Sequence, residues 1–463
     1  MKSWMHTFRS TTIEGVGDRI TNWAGRNMPD PFVFALILTF LSFSLCLIFT
    51  PHGVLEILGS WKNGFWVFLK FSMQMCLILV TGYALASTHL VRTLIGKIAN
   101  LPQSTASAAS LICLVAIFTG LLNWGLGLIV GALTAREVAL RASQRGVLMH
   151  YPILGAAGYM GLAVWHGGLS ASAPLSLAAT GHALENIVGT ISIQQTLLSP
   201  LNLSVTCVLI LGLPILFRVL SPSSKQSLIT VDEILGCGNL NYPVSTKELS
   251  SPGGTSLASK LEDSHLISFL IASFGIGMVI LEYVKADSLE LNLDQVNFIF
   301  LFLGILLHKT PIQYVRAISE AISACSGIVL QFPFYAGIMG MVKGTGLITL
   351  IVQGVQTFAT PATFGIFTFF SACVINLFVP SGGGQWMIQG PIVIQSAKEM
   401  GIPIETAVMA FCYGDQWTNL FQPFWALPLL GITGLRVNHV MGYCILIMFV
   451  GFLFFPAILY LFS

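Results

Sequence analysis

Long apolar runs broken by short polar stretches set the rhythm of this chain. Runs such as PFVFALILTFLSFSLCLIF (Pro31–Phe49) and HVMGYCILIMFVGFLFFPAILYLF (His439–Phe462) are long enough to cross a bilayer as helices. The strands of a membrane barrel would alternate polar and apolar side chains, and these runs do not. The pattern predicts an all-α polytopic membrane protein. Four polar breaks fall within tracts otherwise fit to cross: LLNWGLGLIVG (Leu121–Gly131), WHGGLSASAPLSL (Trp165–Leu177), NLFVPSGGGQWMIQGP (Asn376–Pro391) and YGDQWTNLFQPFWALP (Tyr413–Pro428). Irregular backbone at membrane depth survives only where protein buries it or where it lines a watery cavity.

The breaks recur in matched order. Tyr83 precedes Asn123 by 40 residues and Tyr335 precedes Asn376 by 41, while Asn123 to Pro174 spans 51 and Asn376 to Pro423 spans 47. Such weak internal symmetry is expected where broken helices of two repeats build one midplane site. The Gly-, Pro- and Ser-containing stretch 221–263 reads as a polar cytoplasmic linker between a first repeat, 31–220, and a second, 264–463. The first half reads as crossings at 31–50 and 65–88, a re-entrant hairpin at 104–138 with its tip at Asn123–Gly125, a broken helix at 148–190 and a return at 200–220. The second reads as crossings at 264–283, 293–308 and 313–342, a hairpin at 347–397 with its tip near Pro380–Gly384, a broken helix at 404–431 and a last crossing at 440–462. The extra crossing makes the halves inverted repeats, with the N-terminus inside and the C-terminus outside.

Charge is compatible with this layout. It leaves Lys62, Lys70, Lys285, Lys343 and Lys398 outside and the other Lys and Arg residues inside, the bias that cytoplasmic loops carry. A single crossing over 104–135 would instead strand Arg136, Arg141 and Arg145 outside. Residues 1–30 read as an N-terminal surface segment: they are too polar for a secretory signal, and TIEGVGDRITNWAGRNMPDP alternates polar and apolar groups at helical spacing.

Composition narrows the function. With 55% hydrophobic and 9% charged residues the chain is built for lipid, and a net charge of +2 without a basic block excludes a nucleic-acid role. Its nine cysteines are scattered singly and read as small apolar side chains. No phosphate-binding loop, HExxH or dinucleotide fingerprint is present, so no cofactor is expected beyond a coupling ion, Na⁺ or H⁺, and the chain is not read as an enzyme. A channel is the competing membrane reading, and two mirrored breaks favour alternating access over it.

The breaks also hold the candidate chemistry. A helix starting after Gly384 would aim N–H groups and its positive end at the break, where a carboxylate is stabilised. Ser381, Gly382, Gly383, Gly384 and Gln385 belong to that lining, with Asn376 and, from the first half, Asn123, Trp124 and Gly125. Ser170 and Ser172 can donate hydroxyl hydrogen bonds to a carboxylate, or serve tight helix packing. Asp415, in a segment fit to cross, is costly there and marks a functional position, with Gln416, Thr418 and Asn419 around it; a helix-cap role is the alternative. His166 lies eight residues before Pro174 as Asp415 lies eight before Pro423, and can carry a proton or simply pack. Two helix ends are expected to recognise the head of a substrate, with Trp124, Trp386 or Phe421 along its tail.

Five stretches carry a family likeness: GFWVFLKFSMQMCLILVTGYALAS, NWGLGLIVGALTAREVA, FVPSGGGQWMIQGP, GDQWTNLFQPFWALP and MGYCI. They resemble the bacterial short-chain fatty acid transporters of the acetoacetate/butyrate type over nearly the whole chain. The resemblance implies uptake of small monocarboxylates across the inner membrane by symport with a cation, the lipid bilayer and the substrate being the partners and a homodimer being compatible. The wider resemblance is to ion transporters with inverted repeats, paired re-entrant hairpins and elevator-type motion. Related chains tend to have Gly where this one has His166 and Glu where it has Asp415, which bears on substrate length and coupling. The alternative on the same scaffold is an exchanger or exporter of C4-dicarboxylates or another organic anion.

Overall fold

The computed structural model describes residues 30–178, 182, 184–222, 228–236, 256–285 and 293–462. All of the surface segment expected over 1–30 except Asp30, and most of the 221–263 linker, lie outside the described residues. Within them every regular element is a helix and there is no strand. The first half contains α1 (Pro31–Phe49), α2 (Val54–Gly64), α3 (Leu69–Ser87), α4 (His89–Ala99), α5 (Thr105–Leu122), α6 (Trp124–Gln144), α7 (Tyr151–Gly158), α8 (Ser172–Ala178), α9 (Glu185–Val188) and α10 (Pro200–Leu220). Short α11 (Val231–Leu235) and α12 (Leu257–Glu262) follow. The second half contains α13 (His265–Lys285), α14 (Leu293–His308), α15 (Pro311–Ala321), α16 (Ser326–Gly344), α17 (Leu347–Gln356), α18 (Phe364–Asn376), α19 (Gly382–Glu399), α20 (Ile404–Thr418), α21 (Pro423–Thr433) and α22 (Val437–Leu461).

Five of these, α1, α5, α10, α13 and α22, are long and apolar enough to cross a membrane, and the bent pairs α2–α3 and α15–α16 raise the number to seven if each pair is one span. Their starts follow the local chemistry. Asp30 accepts the Phe32 N–H at 2.9 Å ahead of Pro31, and Ser199 accepts the Asn202 N–H at 3.2 Å ahead of Pro200, so a side-chain acceptor and a proline open both helices.

The structure departs from the expected boundaries where small residues let helices meet. The crossing expected over 65–88 is α3, which starts only at Leu69 after turns at 65–68, and α2, ending at Gly64 before it, meets it at a bend of 41°. Gly64 ends α2 against Gly340 of α16, where an added Cβ would lie 2.8 Å from the Gly340 Cα. The crossing expected over 313–342 is likewise α15 and α16 with a short 3₁₀ turn between. The limb expected to enter the second hairpin at 347 is interrupted at 357–363, around Pro361, and only α18 and α19 flank the 377–381 break.

Two packing groups result. Helices α1, α2, α3, α13, α14, α15 and α16 pack on one another, and α5, α6, α7, α10, α18, α19, α20 and α22 form the other group. Helix α21 bridges them, lying on α6 and touching α3 and α16. The second group holds every polar break, with buried polar side chains that a lipid-facing helix would not carry.

Candidate functional site

Helices α6 and α19 start at two of the breaks, and their first turns differ. Helix α5 stops at Asn123, which takes extended geometry and caps α6: its Oδ1 accepts the Gly125 and Leu126 N–H groups at 2.9 and 3.1 Å. The Asn123 carbonyl accepts the Gly127 N–H at 2.9 Å, and Ser170 Oγ accepts the Trp124 N–H at 3.0 Å. All four first-turn donors of α6 are therefore consumed within the protein. Backbone closure adds to this, since the Leu169 N–H donates to the Leu121 carbonyl at 2.7 Å. An added Cβ on Gly127 would lie 2.5 Å from the Gly120 Cα.

Helix α19 starts at Gly382, with Ser381 as its cap. Ser381 Oγ accepts the Gly384 N–H at 3.2 Å and its carbonyl accepts the Gln385 N–H at 2.7 Å. The Gly382 and Gly383 N–H groups have no acceptor among the described residues. Both glycines, with Ser381, line a cavity of about 80 Å³. That volume is several times the roughly 10–15 Å³ that one water needs, and well below the roughly 300–1,000 Å³ of sites for drug-sized ligands.

The cavity's other walls are aromatic. Phe71 of α3, Trp124 of α6, Trp165 and Trp425 of α21 line it with Leu162, Ser172 and Asn419. Trp124 meets Trp425 edge to face at 5.2 Å and Phe71 at 6.2 Å. The indole N–H groups of Trp165 and Trp425 are buried and have no acceptor among the described residues. Unpaired buried donors are rare because each costs free energy. The residues that carry these two indoles and the two free glycine N–H groups all line one small space.

Behind Gly382 sits a buried polar cluster. His166 Nδ1 and Asp415 Oδ2 lie 2.7 Å apart, at 0% and 1% side-chain exposure. The Ala173 N–H donates to His166 Nε2 at 3.3 Å, the His166 N–H donates to Gln416 Oε1 at 3.0 Å, and Trp165 stacks on the imidazole at 4.2 Å. Asn376 Nδ2 donates to the Asp415 carbonyl at 2.6 Å, Asn419 Oδ1 at 2.8 Å and Thr418 Oγ1 at 2.9 Å. Tyr159 OH donates to the Asn419 carbonyl at 2.9 Å, tying the first broken element to the second. An added Cβ on Gly382 would lie 2.6 Å from Trp165 Cη2 and 2.8 Å from His166 Cε1.

The structure brings Trp124, Ser172, Ser381, Gly382, Gly383 and Asn419 to the cavity and places His166, Asp415, Asn376, Gln416 and Thr418 in the cluster behind it. Asn123, Gly125 and Ser170 are occupied in closing the start of α6. Gly384 is spent on the Ser381 cap, and Gln385 donates to the Ala372 carbonyl of α18 at 3.0 Å and to Gln389 of its own helix at 2.9 Å. Two helix ends were expected at the ligand; in the structure only the α19 end is open. Trp386 and Phe421 do not line the cavity, as they pack against Phe411 and Phe34. Phe71, Leu162, Trp165 and Trp425 were not singled out from sequence. Trp165 and Trp425 stand within the quoted breaks, whereas Phe71 has no local signal because another helix delivers it.

Among the described residues no group of three or more His, Cys, Asp or Glu side chains could hold a metal ion. The sequence matches the short chain fatty acid transporter family over residues 12–462. A protein of Escherichia coli strain K12, provisionally named a short-chain fatty acid transporter, is 40% identical over 92% of this chain and 94% of its own. A Haemophilus influenzae protein with the same provisional name is 36% identical over 93% of this chain and 96% of its own. Two solved structures, the antimetabolite efflux pump MtrF of Neisseria gonorrhoeae and the YdaH transporter of Alcanivorax borkumensis, share 15% and 12% identity over 96% and 94% of this chain and 96% and 98% of theirs. Their TM-scores, 0.43 and 0.44, are too low for a conclusion to be carried across. This helical, multi-pass membrane chain belongs to the short-chain fatty acid transporter family, and it is a transporter, not an enzyme.

Proposed function

We propose that the protein takes up short-chain monocarboxylates such as butyrate or acetoacetate across the cytoplasmic membrane, with a cation as the coupling ion. The observation that carries this reading is the open start of α19, where Gly382 and Gly383, with unused N–H groups, line one cavity together with two tryptophans whose indole N–H groups are unpaired. Donors without acceptors suit an anion, and the positive end of a helix of 18 residues adds to the attraction. Phe71, Trp124 and Trp425 offer apolar surface to a short tail.

The dicarboxylate alternative needs anion-binding groups at two ends. The α6 end has its donors consumed, and no Lys or Arg lines the cavity, which favours one carboxylate. The group containing α5–α7, α18–α20 and α22 is read as the moving body of an elevator-type carrier and the α1–α3, α13–α16 group as its scaffold. The hairpins α5–α6 and α18–α19 are read as re-entrant elements of inverted repeats, with the N-terminus inside and the C-terminus outside.

Counterflow of labelled butyrate in proteoliposomes, competed by C2–C6 acids, tests the assignment. Each methylene buried in a dry pocket gains roughly 0.8 kcal/mol, so butyrate should compete better than acetate by about tenfold. Equal or stronger competition by succinate would move the assignment to a dicarboxylate. Single-cysteine labelling that found both termini on one side would refute the inverted topology.

A further inference from the structure

We infer that the coupling ion is a proton, that Asp415 carries it, and that it travels with one monocarboxylate because the two carboxylates sit too close for both to be charged. The inference rests on the monocarboxylate reading above and names the ion and its carrier.

Three contacts define the state of the pair. His166 Nδ1 lies 2.7 Å from Asp415 Oδ2, and the Ala173 N–H points at Nε2 from 3.3 Å. A ring protonated on both nitrogens would set one N–H against another, so the imidazole is neutral, with its hydrogen on Nδ1 facing the carboxylate. It orients Asp415 and does not neutralise it. Among the described residues no Lys or Arg pairs with Asp415. The other titratable groups that interact with it are the Cys373 thiol of α18 and the Cys412 thiol of its own helix, and neither is a cation. Asp415 Oδ1 is buried without a partner among the described residues. An ionised carboxylate here would be buried, unpaired by a cation and half-satisfied, which is costly; a proton on Oδ1 removes the charge.

The substrate head supplies the coupling. Gly382 touches both sites: its N–H belongs to the open start of α19, and a Cβ on it would lie 3.1 Å from Asp415 Oδ2. A carboxylate held by the Gly382 and Gly383 N–H groups would be a close neighbour of Asp415, and two like charges about 7 Å apart at an effective dielectric of about 20 repel by enough to weaken binding on the order of fiftyfold. Anion and proton therefore load together. The proton comes from water on the outer side, forms an O–H bond at Oδ1, and returns to water inside as that bond breaks and the substrate leaves. No net charge crosses. A sodium ion would need several oxygens around one point; Asp415 Oδ1, Asn376 Oδ1 and Gln422 Oε1 are buried without partners among the described residues, and the Na⁺ arm of the binding test separates that ion from the proton.

The test is butyrate binding to the purified, Na⁺-free protein between about pH 5.5 and 8.5, a range in which the ligand, with an ordinary carboxyl near about 4 to 5, stays an anion. A pH dye in weak buffer reports proton uptake. Binding should weaken as pH rises, by up to about fiftyfold between plateaus, with proton uptake per butyrate peaking at about 0.8 on the slope between them and vanishing on each plateau. Asp415→Asn keeps an oxygen for the His166 N–H and should make affinity independent of pH, with no proton uptake. Wild-type binding that ignores pH and tightens with Na⁺ would overturn the inference without a mutant. Undiminished pH dependence in Asp415→Asn would overturn the choice of carrier. No butyrate binding under any pH or Na⁺ condition would sink the monocarboxylate reading itself.

Discussion

The starts of α6 and α19 are the same device put to opposite uses. Each follows a polar cap in extended geometry at a break between two helices. Asn123 and Ser170 take up every first-turn N–H of α6, and glycine contacts weld that turn to its neighbours. Ser381 serves only one N–H of α19 with its side chain, and Gly382 and Gly383 face the cavity with theirs unused. Around Gly383 there is room as well: a Cβ there would meet nothing closer than Ser172 Cβ at 3.7 Å. A helix start becomes a binding group only when the protein declines to satisfy it. The first end is thus a platform and the second a receptor.

Substitutions at the open end should hurt most. Gly382→Ala puts a methyl against Trp165 and His166 and should reduce butyrate counterflow by about 100-fold or more. Near-normal counterflow would show that the substrate does not depend on this turn. Asn376→Ala strips three buried oxygens of their shared donor and should destabilise the protein by about 3 kcal/mol, seen as a lower Tm in detergent. Trp425→Phe keeps the aromatic wall and removes one unpaired N–H, so butyrate affinity should fall about tenfold while Tm holds.

The platform predicts effects on stability instead. Its base is tied by His150, in the connection before α7: the His150 N–H donates to Thr105 Oγ1 at 3.1 Å, and the Ile229 N–H donates to His150 Nδ1 at 3.0 Å. Burial, with nearby His439, holds the His150 imidazole down to about 4. The unfolded chain therefore binds the extra proton first, and stability should fall as pH drops below about 6.5 towards 4, at most about 1.4 kcal/mol per pH unit. Thermal melts of His150→Asn against wild type between those pH values would read this out, with a flatter profile in the variant. Ser170→Ala frees one N–H of α6 and should cost about 1 kcal/mol of stability while moving butyrate affinity by less than about threefold. A larger affinity loss would make the α6 end a second receptor and erase the contrast.

Much of this was legible in sequence because Gly, Pro and Asn inside apolar tracts have few other uses. The breaks at Asn123, Ser381 and Asp415 and the single cysteines follow from residue type and spacing; the helix expected to start after Gly384 starts at Gly382, because Ser381 caps it and glycine tolerates the first turn. The pairing of His166 with Asp415 was not legible, although each was marked by its distance from a proline, because 249 residues separate them and only tertiary packing joins them. The consumption of the α6 donors by Ser170 was hidden for the same reason, as was the arrival of Phe71 from α3. The bend at 65–68 escaped because apolar residues continue through it, whereas the interruption at 357–363 carried a signal, Pro361 among three threonines, that was passed over within a longer apolar limb.

The most direct measurement is the position of a bound carboxylate, obtained from a structure of the protein with 3-bromopropionate located by bromine anomalous scattering. The carboxylate should lie within hydrogen-bond distance of the Gly382 and Gly383 N–H groups, with the bromine towards Phe71, Trp124 and Trp425. A carboxylate bound at Asn123–Gly125, or outside this cavity, would contradict the account.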